Sequence, residues 1–69
     1  MNKIRTGGLQ KELQKTAALP YIERVQPMSE IYQYLLSLGH DERTAERILR
    51  SCGVSRCLLF RVNKHLLAH

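Results

Sequence analysis

Two glycines, each followed two residues later by a helix-capping side chain, constrain the fold of this chain more than any other feature. Gly39 precedes Asp41, and Gly53 precedes Ser55. A glycine can adopt the left-handed conformation that ends a helix, and Asp or Ser at an N-cap accepts a hydrogen bond from the first amides of the next helix. The two pairs therefore predict three short helices in succession and an all-α fold.

Apolar residues recur at the spacing of one helix face in each of these three segments. We predict helices at about 28–38, from the Asp41 cap to about Cys52, and at about 56–67. The third helix divides into a broad apolar face and a polar face. The predicted core comprises Ile31, Tyr32, Leu35, Leu36, Leu38, Ala45, Ile48, Leu49, Cys52, Leu58, Leu59, Val62, Leu66 and Leu67.

The N-terminal segment 1–27 is less regular. Apolar residues four apart from Leu9 to Ala17 predict a short amphipathic helix that ends before Pro20. The stretch between Pro20 and Pro27 alternates only loosely, so we interpret it as an extended linker, with an edge strand as the alternative. Because the segment holds five cations and two carboxylates, it could serve as a basic arm. We therefore divide the chain into this arm or short helix at 1–27 and a three-helix domain at 28–69.

A chain of 69 residues forms one domain with a minimal core. Such a chain buries only about 60% of the surface that it exposes when unfolded, so a second copy would add needed support. Apolar residues outside the predicted three-helix core could form the contact. They are Leu9, Leu13, Ile22 and Val25. We expect a homodimer through the N-terminal segment.

The net charge of +5 and the pI near 9.7 favour polyanionic partners, nucleic acid before acidic proteins or membrane surfaces. The chain has no run of 18 apolar residues, and its start lacks the apolar stretch of a secretion signal. We therefore expect a cytoplasmic protein without a membrane partner. Two cysteines are too few for a secreted disulfide scaffold, and we expect them to be reduced.

Two helices joined by a short glycine turn, with another helix in front, are typical of a three-helix helix-turn-helix domain. The segment 48–63 resembles the helix-turn-helix of lac-repressor-type regulators and, more loosely, the DNA-binding end of invertases and resolvases. Gly53-Val54-Ser55-Arg56 is similar to their turn, and Leu59 and Val62 match two buried positions of their recognition helix. Arg61-Val62-Asn63 resembles their Arg-Val-apolar-Asn stretch with one residue missing. Leu49 departs from the pattern, which has a small alanine there.

This resemblance implies a small, dimeric, sequence-specific transcription regulator from a bacterium, phage or mobile element. Its helix at 56–67 would enter the major groove of double-stranded DNA. Arginines there can pair with guanine edges or phosphates, and Lys64 suits a phosphate. The last 19 residues contain three cations and no acid, which agrees with a surface that faces DNA. The residues predicted to contact DNA are Arg43, Ser55, Arg56, Cys57, Phe60, Arg61 and Lys64.

The alternative is a small helical protein-binding module. The run from Leu35 to His40, followed by Ala45 and Leu49, resembles the ubiquitin-associated three-helix bundle. The Met-Gly-aromatic loop of that family is replaced here by Leu38, Gly39 and His40. The resemblance implies protein-protein contact, for example with a host protein or as an inhibitor of a host protein complex.

Other constellations predict no chemistry. Cys52, Cys57, His65 and His69 mimic a zinc-ligand series, but seven residues separate Cys57 from His65 where a finger uses about twelve. We interpret Cys52 as a small core residue and Cys57 as a surface thiol. The chain has no catalytic set, phosphate loop or metalloprotease motif, so we expect neither an enzyme nor a cofactor. Its tyrosines could stack on bases, although core-edge or dimer contacts are the favoured interpretation.

Overall fold

The computed structural model describes residues 8–68, and in this range the protein is all-α, as predicted. Its elements are α1 (Gly8–Ala17), a 3₁₀ turn (Tyr21–Glu23), α2 (Val25–Ser37), α3 (Glu42–Ser51) and α4 (Arg56–Leu67). Helix α2 is the centre of the fold, because α1, the 3₁₀ turn, α3 and α4 all pack against it. None of the helices in the described range has the length and apolar character needed to cross a bilayer.

The two glycine turns form as predicted. Gly39 and Gly53 have φ angles of +102° and +98°, in the region where other residues are strained. Asp41 then caps α3 by accepting a hydrogen bond of 2.7 Å from the Thr44 amide. Ser55 caps α4 in the same way, with 3.2 Å between its Oγ and the Leu58 amide nitrogen. The ends of α3 and the start of α4 therefore lie where the sequence placed them.

The predicted extended linker between Pro20 and Pro27 is wrong, because this stretch is helical. It forms the 3₁₀ turn, and α2 begins at Val25, three residues before the predicted start. Pro27 fits in the first turn of α2, where a missing N–H costs no intrahelical hydrogen bond. Arg24 holds the bend compact, since its guanidinium donates to the carbonyls of Leu19 and Ala17 at 2.8 and 2.9 Å.

The core lies where α2, α3 and α4 meet. Its most buried large side chains come one from each helix: Ile31, Leu49 and Val62. Leu49 is completely buried, so the fold accommodates the larger side chain at the position where the resembling family has alanine. A hydrogen bond of 3.0 Å from the Val54 amide to the Leu49 carbonyl closes the turn that follows α3. This bond and the one from Gly53 to Arg50 form a Schellman motif.

Three residues predicted in the core are exposed instead. Leu38 is 56% exposed, Leu67 is 87% exposed, and Cys52 is exposed as well. Each lies at the C-terminal end of a helix, since Leu67 is the last residue of α4 and Leu38 and Cys52 directly follow α2 and α3. The interpretation of Cys52 as a core residue was therefore wrong.

The N-terminal helix contributes to the same core. Leu13 of α1 is buried there, and Leu9 and Val25 pack against the core from its edge. Of the four apolar residues expected to form a dimer contact, only Ile22 remains largely free, at 82% exposure. The arm residues 1–7 lie outside the described range.

Candidate nucleic-acid interface

Helix α4 presents two distinct faces. Leu58, Leu59 and Val62 point into the core, whereas six other side chains of the helix are exposed: Leu67 in the last turn and five that precede it. These five were predicted to share the opposite face, and they do line one surface groove together with Tyr21 from the 3₁₀ turn. We call this surface the basic groove; it is formed by Tyr21, Arg56, Cys57, Phe60, Arg61 and Lys64.

Two aromatic rings lie in the basic groove, each with a cation over it. The Arg61 guanidinium carbon lies 5.6 Å from the centroid of the Tyr21 ring. The Lys64 Nζ lies 5.4 Å from the centroid of the Phe60 ring. Both rings remain accessible, with Tyr21 at 40% and Phe60 at 63% exposure. The groove therefore combines positive charge with exposed aromatic surface.

The basic groove is electrostatically uniform. Three of its lining residues are cations and none is a carboxylate. A concave surface lined by charges of one sign concentrates its field and attracts ligands of the opposite sign. The arrangement can therefore bind a polyanion without first breaking an internal ion pair in its lining.

A second groove has the opposite character. We call it the acidic groove; it is formed mainly by Glu12, Ile22, Glu23, Val25, Glu30 and His65. Glu12 also makes an ion pair of 3.8 Å with Lys15. Three carboxylates and the exposed Ile22 line this groove. This groove does not suit a polyanion.

The predicted DNA contacts do not all lie in one site. Five of the seven line the basic groove, and Arg43 and Ser55 lie elsewhere. Arg43 lies on another surface, which it shares with Arg47 and Arg50 of α3. Ser55 lies at the start of α4, where its oxygen is used as the N-cap. Asn63, which the family resemblance singled out, donates to Glu46 Oε2 at 3.0 Å and so ties α4 to α3.

Tyr21 is absent from the predicted DNA contacts, because a core-edge or dimer contact was the favoured interpretation of its ring. The signal was available in part, since Pro20 is a suitable residue for the start of a turn. Which groove the ring would join depends on how α4 packs on α2. Of the other two tyrosines, Tyr32 is buried in the core.

Tyr32 also has a perturbed environment. Its hydroxyl makes no hydrogen bond with residues 8–68. Burial raises the pKa of this phenol, and the nearby carboxylates of Glu42, Glu46 and Asp41 raise it further. The side chain therefore stays neutral and acts as a packing residue.

The described residues contain no cluster of three or more His, Cys, Asp or Glu side chains that could hold a metal ion. Cys52 and Cys57 are free and exposed, and His69 of the zinc-like series lies outside the described range. Cys57 is thus a surface thiol, as predicted, and it belongs to the basic groove.

Comparison with known protein families, curated proteins and solved structures finds no match to this chain.

Proposed function

We propose that this protein binds double-stranded DNA through the basic groove and acts as a small sequence-specific transcription regulator. One observation carries the proposal: the exposed face of α4 gathers three cations and no carboxylate in a single groove. The buried face of the same helix fixes it to the core through Leu58, Leu59 and Val62. A rigid helix that presents cations outward is the element that enters a major groove in helix-turn-helix proteins.

The dimensions and chemistry of α4 support this role. Its 12 residues span about 18 Å, and a major groove about 12 Å wide admits one helix. Arg56 and Arg61 have the planar donor pattern that pairs with guanine edges, whereas Lys64 supplies a point charge for a phosphate. Ser55 Oγ accepts a hydrogen bond from the Leu58 amide. Its O–H can still donate a hydrogen bond to a phosphate at the N-terminal end of α4, where the helix dipole is positive.

The arginines of α3 supply a second contact in this proposal. Arg43, Arg47 and Arg50 share one surface, with Glu46 as the single carboxylate in its lining. In a helix-turn-helix complex the first helix of the pair crosses the phosphate backbone. Arg43 therefore contacts backbone phosphates and contributes affinity without base preference.

We further propose that two copies bind one DNA site, because a single small domain with few base contacts gains little specificity. Ile22 is the apolar residue of the predicted dimer contact that the fold leaves 82% exposed. Sedimentation at micromolar concentration should give a dimer, and Ile22→Ser should give a monomer with unchanged helical content. A wild-type monomer on DNA would remove the dimer from the proposal.

The decisive experiment measures duplex DNA binding across a salt series. Each phosphate contact contributes about −0.9 to the slope of log affinity against log salt, so the wild-type slope should be steep. Lys64→Ala should reduce the slope by about 1. Lys11→Ala makes the same charge change on α1, outside the basic groove, and is the matched control. Binding that is absent, or equal losses in both variants, would contradict the proposal.

A second candidate function, a protein-binding module, is favoured by the exposure of Leu38. This side chain is 56% exposed and precedes Gly39 and the half-buried His40, the segment that resembles a ubiquitin-associated loop. Under this alternative, Leu38→Ala abolishes binding to a protein partner. Under the DNA proposal, the same variant binds duplex DNA like the wild type.

A further inference from the structure

Tyr21 and Phe60 give the basic groove a property that duplex DNA does not use. The two rings come from the 3₁₀ turn and from α4, and both line the groove beside its cations. In a paired duplex each base is covered on both faces by its neighbours, and only base edges face the major groove. Apart from contact with a thymine methyl, an aromatic ring finds little to bind there. Exposed rings among cations are instead typical of sites for unpaired bases.

The cations over the two rings can move to phosphates when DNA binds. Arg61 lies over Tyr21, and Lys64 lies over Phe60. A cation over an aromatic ring at an exposed site is held weakly, whereas a charge-assisted contact to phosphate is stronger. A phosphate in the groove would therefore draw each cation away and uncover a ring face.

We propose that the basic groove binds DNA containing an unpaired base, which stacks on the exposed rings of Tyr21 and Phe60 while Arg61 and Lys64 hold the flanking phosphates. This inference rests on the proposed DNA-binding function and specifies the class of DNA that the site prefers. It assigns Tyr21, a residue distant in sequence from α4, to the binding site. In this complex Arg61 contacts a phosphate, whereas in fully paired DNA it reads a base edge.

The test compares a duplex with the same duplex carrying one extra unpaired base. Stacking of one base on an aromatic side chain corresponds to about a fivefold gain in affinity or more, so the bulged duplex should bind about fivefold tighter. Tyr21→Leu and Phe60→Leu should each reduce this preference, whereas Tyr21→Phe should retain it. Tyr34→Leu is the matched control, since it makes the same change on α2 at a half-buried residue that does not line the basic groove.

The outcomes separate this inference from the proposed function. Equal wild-type affinity for the two DNAs would overturn the inference while leaving duplex binding intact. Equal weakening of both DNAs by Tyr21→Leu and by Phe60→Leu would mean that the rings only orient the cations, and this result would also overturn it. Binding to neither DNA would remove the proposed function itself. Circular dichroism of each variant provides the check on helical content.

Discussion

The basic groove and the acidic groove use neighbouring residues for opposite purposes. Tyr21 lines the basic groove, whereas Ile22, the next residue, lines the acidic groove. Lys64 and His65 are divided in the same way along α4. Because adjacent residues of a helix point about 100° apart, one short segment can serve two surfaces.

This comparison teaches that the distribution of charge matters more than its sum. The net charge of +5 gives only a general preference for polyanions. In the fold, three carboxylates gather in the acidic groove and none lines the basic groove. The basic groove therefore attracts a polyanion more strongly than the net charge alone indicates, and the acidic groove repels it.

The largest expected effect comes from a core substitution under α4, the helix that contributes side chains to both grooves. Leu59 is 4% exposed in the core under α4, and Leu59→Ala should lower the free energy of unfolding by about 2–5 kcal/mol. Leu67→Ala makes the same change on the same helix at a site that is 87% exposed, and it should cost less than about 0.5 kcal/mol. Urea unfolding measures both variants. Equal losses would show that α4 is not held as described.

The next effect separates the two grooves by DNA binding. Arg61→Ala should cost about 1–3 kcal/mol of affinity and relax base preference, because it removes a donor pair for base edges. Lys64→Ala should weaken all sequences about equally. Glu30→Gln changes charge in the acidic groove and should leave base preference unchanged. A binding assay on a set of duplex sequences measures all three, and unchanged preference in Arg61→Ala would contradict base reading by α4.

A smaller effect tests whether Ser55 supports the fold or only the site. Ser55→Ala removes the acceptor for the Leu58 amide and should lower the free energy of unfolding by about 1 kcal/mol. Ser51→Ala is the control, since its hydroxyl only donates to the Ile48 carbonyl on the exposed side of α3. Thermal unfolding distinguishes the two variants. A stability loss in Ser51→Ala as large as in Ser55→Ala would refute the capping role.

The smallest effect concerns an acid outside both grooves. Hydrogen bonds from Thr44, through its side chain and its amide, lower the pKa of Asp41 below its ordinary value of 3.8. A lowered pKa means that the ionised cap favours the folded state, so its contribution is present above the unfolded pKa and is lost as the pH falls through the folded pKa. Stability should decline slightly below about pH 4.

Asp41→Asn provides the control for this titration, because asparagine caps helices well but carries no charge. Unfolding measured from pH 6 to pH 2 should have a shallower acid limb in this variant than in the wild type. Identical acid limbs would show that the Asp41 cap does not contribute to the pH dependence.

Much of the fold could be predicted because local signals coincided with helix ends. Gly53 and Ser55 placed the start of α4 correctly, and the apolar period of α4 separated its buried face from its exposed face. The start of α2 was missed because Pro27 was read as a boundary, whereas proline is tolerated within the first turn. The compact bend before α2 depends on Arg24, whose contact with the Ala17 carbonyl spans seven residues and has no local signature.

The sequence by itself determined the helical class, the two glycine turns and the exposure of the five α4 side chains that line the basic groove, because these depend on backbone preference and on the helical period. Tertiary packing alone decided that Tyr21 joins the basic groove, that Arg43 lies apart from it, and that Leu67 stays exposed. These outcomes depend on where one helix ends against another. Such packing contacts join residues far apart in sequence, so a local sequence pattern does not predict them.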